Sequence, residues 1–187
     1  YVRAAAAWLA LVSIFFYGYW SPRYVILLMA SILINFAAGH GILKYQSAGN
    51  QKTARRILVL AIVSNLTALA YFKYANFFVN SLNSAFDAQI TLAQIILPIG
   101  ISFFTFTQIA FLVDTFSGKV KETRFIPYTL FVTFFPHLIA GPVLHHSEMM
   151  PQFARDETYR FNLRNFLTGV AFFSIGLFKK VILADGI

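Results

Sequence analysis

LPIGISFFTFTQIAFLVDTFSGKVKETRFIPYTLFVTFFPHLIAGP, residues Leu97 to Pro142, decides how the rest of the chain is read. It holds two apolar segments, one opened by Leu97-Pro98-Ile99-Gly100 and the other closed by Phe135-Pro136-His137-Leu138-Ile139-Ala140-Gly141-Pro142. Proline removes a backbone donor and glycine admits unusual dihedrals, so both motifs break regular helix. In hydrocarbon the freed backbone groups must find partners, and such breaks persist only where protein or a water-filled cavity surrounds them. The stretch therefore marks a site inside a helical membrane protein.

Composition supports that solvent. The chain is 58% hydrophobic with mean hydropathy +0.67, and 12% of its residues are charged, about half of the roughly 25% usual in soluble domains. Its 22 Phe and 9 Tyr suit lipid-facing and interfacial positions. The net charge of +8 raises nucleic acid as a partner. The basic residues, however, lie between apolar segments and not along one aromatic-interleaved surface, so a cytoplasmic loop bias accounts for them and no nucleic acid is expected. With no cysteine the chain has no disulfide frame and no thiolate chemistry.

Outward from the central stretch the chain reads as membrane helices. Ala4 to Pro22 is an uncharged run whose Phe15, Phe16, Tyr17, Tyr19 and Trp20 fill the place where a signal peptide needs small residues, so it is a helix of the mature protein. Ser21-Pro22 turns the chain into a second run, Tyr24 to Leu43, and the two are expected to pair as a hairpin. Lys44, Lys52, Arg55 and Arg56 form a basic loop read as cytoplasmic. Ile57 to Phe72, continuing to Phe86, is the third helix, and Asn80 to Gln89 is expected on the outer side. A helix from about Ile99 to Phe116 follows, and then a second basic cytoplasmic loop, Ser117 to Arg124.

Pro127, Pro136, Gly141 and Pro142 cut Phe125 to Ser147 into at most one short helix, Tyr128 to Phe135, and a non-helical tail. His145 to Arg164 is suddenly polar and reads as interfacial. The last helix, Phe161 to Leu183, carries a stripe of Asn162, Asn165, Gly169 and Gly176 expected to pack against protein. The fold class is all-α integral membrane protein, a multi-helix bundle with interrupted helices.

The candidate chemistry is sparse. Ser102, Thr105 and Gln108 follow at three-residue steps on one helix face, where small polar residues also bind helices together in membranes. Asp114, near Lys119, is a carboxylate at a depth where such groups are paired or functional. His137 sits inside the Pro136–Pro142 break, as a ligand-facing or a hydrogen-bonded structural histidine. His137, His145 and His146 lack conventional ligand spacing, so no metal site is expected. Nucleophile elbows, HExxH motifs and phosphate-cradling glycine loops are absent from the sequence.

LPIGISFFTFTQIAFLVDTFSG, FVTFFPHLIAGPVLHHSEMMPQF and GLFKKVILAD, with the earlier FYGYW and YFKYANFF, resemble the bacterial branch of the membrane-bound O-acyltransferase (MBOAT) family. The similarity is to its alginate-acetylating members and, more distantly, to those that transfer D-alanine in teichoic acid synthesis. It covers most of the chain. The resemblance implies transfer of an acyl group, commonly acetyl, from a coenzyme A thioester such as acetyl-CoA, or from an acylated carrier, to hydroxyls of an exported polysaccharide such as alginate. Other proteins of an export complex would take part, and no bound cofactor is implied. It further implies a multi-pass protein of the bacterial inner membrane. The family's histidine lies in a later membrane helix, so residues 1–187 are expected to be the N-terminal part of a single membrane-embedded O-acyltransferase domain, supplying scaffold and part of a tunnel, with the catalytic residue beyond Ile187. Ser102, Thr105, Gln108, Asp114, Pro136, His137, Gly141 and Pro142 become tunnel-lining candidates. That branch commonly carries glutamine where this chain has His137, so no essential role is implied for this histidine. Broken helices are also a transporter signature, and a non-catalytic scaffold subunit is a third reading. A lone histidine on an apolar helix past Ile187 would decide among them.

Overall fold

A computed structural model describes residues 2–20, 22–86, 95–120, 123–138, 146–153 and 155–186, with helices as its only regular structure among these. The chain divides into two compact units, Tyr1–Ala154 and Arg155–Ile187.

In the first unit α1 (Val2–Trp20) and α2 (Pro22–Ser47) follow one another almost without a connection. Pro22 takes the first helical position, where its missing donor costs nothing and its fixed φ suits the helix. α2 and α3 (Gln51–Phe86) form the next antiparallel pair. The turn between them is only 48–50, shorter than the expected loop from Lys44 to Arg56, because both helices extend into it. Gly49 at φ 74 allows a tight end, in which Asn50 N–H donates to the Tyr45 carbonyl and Gly49 N–H to that of Gln46. The Asn50 side chain then accepts from Thr53 N–H at 3.1 Å and caps α3. α3 is continuous to Phe86. The outward connection expected from Asn80 is thus helical for most of its length, because the asparagines there interrupt apolarity without stopping the backbone; 87–94 lie outside the described residues.

Residues 95–98 have no regular structure, and α4 (Ile101–Phe116) begins after Gly100 at φ 71. It ends in the same manner as α2, with Lys119 N–H donating to Asp114 and Gly118 N–H to Thr115. Among the described residues α2 and α3 are two of three helices long and apolar enough to cross a membrane; the third, Leu163–Ala184, is in the second unit. α4 is shorter, 16 residues, or roughly 24 Å of rise.

The interrupted region consists of α5 (Phe125–Thr133), a break at Phe134, and the single turn α6 (Phe135–Leu138). Where one helix from Tyr128 to Phe135 and a non-helical tail were expected, α5 starts at Phe125 and ends at Thr133, two residues early, and Pro136 is itself helical. A proline is tolerated in the first turn of a helix but not in its interior, so α5 stops short and α6 starts anew. α7 (His146–Phe153) follows, in the segment expected at the interface.

The second unit begins with a 3₁₀ turn, Asp156–Tyr159. It continues as α8 (Leu163–Phe178), which runs into a π-helical turn, Lys179–Ala184. Within this unit no residue of α8 is buried, so the protein partner expected for the stripe Asn162, Asn165, Gly169 and Gly176 is not supplied by residues 155–186. Asn162 instead caps the helix, its side-chain oxygen accepting from Asn165 N–H at 3.1 Å. Lys180 pairs with Asp185 at 2.6 Å.

Candidate functional site

Three contacts fix which ends of the first unit lie together. Gln46 Nε2 donates to the Phe116 carbonyl at 2.7 Å, which joins the α2–α3 turn to the end of α4. Arg3 and Ala6 of α1 line a cavity of about 300 Å³ with Arg124–Pro127 and Phe153, so α1 and α5 start at that end too. At the opposite end the Tyr24 hydroxyl donates to the Ile96 carbonyl at 2.5 Å and Asn76 Nδ2 to that of Ile95 at 2.7 Å. Arg3, Lys44, Lys52, Arg55, Arg56, Lys119 and Arg124 therefore share one end of the bundle, and the two loops read as cytoplasmic are on the same side of it.

From that basic end α5 and α6 run inward beside α1, with Phe16 packed on Phe135 at 5.1 Å. They reach the start of α4, where a Cβ on Gly100 would lie 3.0 Å from the Leu138 carbonyl oxygen. By His146 the chain is back near the other end of α4, since His146 Nδ1 is 3.3 Å from Asp114 Oδ2. Arg124 and His146, the two ends of this excursion, thus lie at one end of the bundle and Leu138 at the other end of α4, while 139–145 lie outside the described residues. Irregular backbone at depth is tolerated when it is enclosed in this way, and Pro127, Tyr128, Thr129, Leu130, Phe131, Val132, Thr133, His137 and Leu138 are all buried.

Gln108 joins this excursion to the long helices. Its Nε2 donates to Ser31 Oγ at 3.0 Å, and the Tyr128 hydroxyl donates to its Oε1 at 3.2 Å. Asn35 Nδ2 donates to the Ser31 carbonyl at 2.9 Å, and Asn35 and Asn65 exchange amide hydrogen bonds at 3.2 and 2.6 Å. A neutral polar chain thus crosses α3, α2, α4 and α5. It has no group that titrates in the physiological range, so it fixes four helices and transfers no charge. Ser31, Asn35, Asn65 and Tyr128 were not singled out as functional from sequence. The signal available was Ser31 and Asn35 one turn apart in an otherwise apolar run.

His137 is the buried ionisable group at the inner end. Its Nε2 lies 3.1 Å from the Phe131 carbonyl, which can only accept, so the proton is on Nε2 and Nδ1 presents a lone pair. Rings of Phe103, Phe131 and Phe134 surround it at 5.5–6.5 Å. Nδ1, the Tyr17 hydroxyl and Thr129 Oγ1 are buried polar atoms with no partner among the described residues.

Of the tunnel candidates, Thr105 and Gln108 are buried and Ser102 is half-buried on α4, Ser102 being next to the Phe103 that touches His137. Pro136 is exposed on α6. Asp114 is six residues past Gln108, or roughly 9 Å along the helix, and belongs to the basic end, where it meets Lys119 at 3.8 Å as well as His146. Gly141 and Pro142 lie outside the described residues. His146, weighed from sequence only as a metal ligand, is instead buried against Phe111 and Phe131 with Asp114 beside it. No group of three or more potential metal ligands occurs among the described residues.

The chain is 39% identical over 203 residues to the peptidoglycan O-acetyltransferase of Helicobacter pylori, an alignment covering 95% of this chain and 38% of that protein. Proteins named "Probable alginate O-acetylase AlgI" from Pseudomonas syringae pv. tomato and Pseudomonas aeruginosa are 38% and 39% identical over 183 residues, covering 95% of this chain and 34% of each relative. The chain thus spans about a third of the length of the curated relatives it matches. No family model matches the chain, and no solved structure does.

Proposed function

We infer that this chain belongs with the membrane-bound O-acyltransferases and is a membrane-embedded part of an enzyme that transfers acetyl groups to hydroxyls of a polysaccharide. The observation that carries this reading is the similarity along 95% of the chain to proteins whose names share O-acetyl transfer, on alginate in one case and peptidoglycan in the other. Acyl transfer across a bilayer needs a buried route from a thioester donor on one side to an acceptor on the other, and the re-entrant α5–α6 segment is the kind of enclosed irregular backbone that lines such a route. The cavity between Arg3 and Arg124 opens at the basic end, where a phosphate-bearing donor such as acetyl-CoA would arrive from the cytoplasm.

In this reading the acceptor hydroxyl is deprotonated by a histidine in a part of the enzyme outside residues 1–187. Residues 1–187 supply the scaffold, and Ser102, Thr105, Gln108, Pro136, His137, Gly141 and Pro142 belong to the wall of the route. Its place is the bacterial inner membrane, with export-complex proteins delivering the acceptor. The test is transfer of radiolabelled acetyl from acetyl-CoA into alginate and into peptidoglycan by the full-length protein in proteoliposomes. Label is expected in one of the polymers, and purified residues 1–187 alone are expected to give no transfer above a vesicle blank. Transfer by residues 1–187 would place the catalytic group among them. Failure of the full-length protein on both polymers, with acetyl-CoA and with an acetylated carrier as donors, would contradict the activity.

A further inference from the structure

We propose that the first turns of α3 form a binding site for an anionic phospholipid. Lys52, Arg55, Arg56, Val59 and Leu60 line one shallow groove of about 570 Å³. Their spacing is i, i+3, i+4, i+7 and i+8, which is a single helix face. All five are exposed, and none of the three cations has an acidic partner among the described residues. The face thus has three unpaired positive charges over its first two turns, followed along the axis by aliphatic side chains. Val63 and Leu66, both exposed, continue it.

That order matches one ligand chemistry. A phosphodiester headgroup takes charge-assisted, bidentate hydrogen bonds from arginine, while acyl chains need an apolar wall immediately deeper. Ala54, Ala61, Asn65 and Leu69 form the buried side of α3, so the groove faces away from the other helices of the first unit, the side on which the proposal places lipid. The same feature separates it from the cavity beside Arg3 and Arg124, which lies between helices at the re-entrant segment. A soluble phosphate compound would find the cations at α3 but no use for Val59 and Leu60. Each basic residue near an anionic surface adds to its attraction, and three of them converging on one headgroup give a selective site and not only a general preference.

The test is native mass spectrometry of the full-length protein, delipidated in detergent and offered equimolar phosphatidylglycerol and phosphatidylcholine. A preference of about tenfold for phosphatidylglycerol is expected in the parent, and it should fall to near parity in K52Q/R55Q/R56Q. A control variant, K179Q/K180Q, should keep it, and size-exclusion profiles identify any variant that has lost its fold. Val59→Asp, which keeps all three cations, should also weaken phosphatidylglycerol binding, and this second variant carries the test if the triple variant does not fold. Equal binding of the two lipids by the parent, or an undiminished preference in the triple variant, overturns the proposal. So does displacement of phosphatidylglycerol from this site by coenzyme A or inorganic phosphate at millimolar concentration, which would reassign the groove to a soluble anion. The readout is lipid binding, so the outcome is independent of whether the protein transfers acetyl groups.

Discussion

Gln108 on α4 and Gly100 just before it are two positions where single atoms hold the re-entrant segment in place. Gln108 is fully buried and bonds Ser31 on one side and Tyr128 on the other. An average hydrogen bond between membrane helices is worth only about 0.6 kcal/mol. Gln108→Leu would do more than remove two of them, because it strands the Tyr128 hydroxyl in a dry interior, and an orphaned buried donor costs about 1–3 kcal/mol. We expect a loss of about 1–2 kcal/mol, read as a lower unfolding midpoint in detergent; a midpoint unchanged from the parent would mean that the chain of polar contacts is not a structural link. Gly100 is tested against Gly118. Both have positive φ, at 71 and 72, but a Cβ on Gly118 meets nothing within 4 Å, while one on Gly100 meets the Leu138 carbonyl at 3.0 Å. Alanine at either position pays a backbone cost of about 1–2 kcal/mol, and only Gly100→Ala also pushes the tip of the excursion. Gly100→Ala is therefore expected to be the more destabilising of the two in the same assay, and equal effects would deny the contact.

At the scale of elements, α7 is held to α4 by His146 and Asp114, where a buried imidazole faces a half-buried carboxylate. Asp114→Ala leaves that imidazole without its carboxylate, and losing one member of a buried pair is costlier than the pair was worth. Amide exchange of α7 should accelerate in Asp114→Ala while that of α3 stays unchanged; α7 exchange at the parent rate would contradict the latch. Much at this scale was legible in the sequence. Uncharged runs gave α1, α2 and α3, Pro98-Gly100 gave the start of α4, and the prolines gave the interruption after Phe125. Helix ends are less legible: the charges at Lys44 and Arg56 suggest a loop, yet both residues are helical, because Gly49 lets the chain turn within three residues. The break at Phe134 also eluded the sequence, because Pro136 serves α6 as an initiator as well as stopping α5. For the site, Gln108 and His137 were named from residue type and depth, and both are buried where α4 meets the excursion. The partners that give them meaning, Ser31, Tyr128 and the Phe131 carbonyl, are 77, 20 and 6 residues away and follow from packing that no local pattern encodes.

For the whole molecule, the arrangement of charge follows from connectivity. α1 and α2 form a hairpin, α3 returns, and α4 comes back to the end where α2 stopped, so the cations at Arg3, at the α2–α3 turn and around Lys119 and Arg124 accumulate on one side. The positive-inside bias predicts that this side faces the cytoplasm. α5 and α6 reach the start of α4 at the far end, but His146 is back beside Asp114, so α7 lies on the basic side too, and the route proposed for acyl transfer is walled by a segment whose two ends are anchored there. Residues 1–187 contain no cysteine, so once any cysteine elsewhere in the full-length protein is replaced by serine, the sidedness is directly measurable. Single cysteines at Thr53, Ser84, Lys119 and Gln152 in the full-length protein would be labelled with an impermeant thiol reagent in intact cells and in inverted vesicles. The account predicts that Thr53→Cys, Lys119→Cys and Gln152→Cys react only in inverted vesicles and Ser84→Cys only in intact cells. If Gln152→Cys instead reacts from the same side as Ser84→Cys, the segment from Arg124 to His146 crosses the membrane and the re-entrant account is wrong.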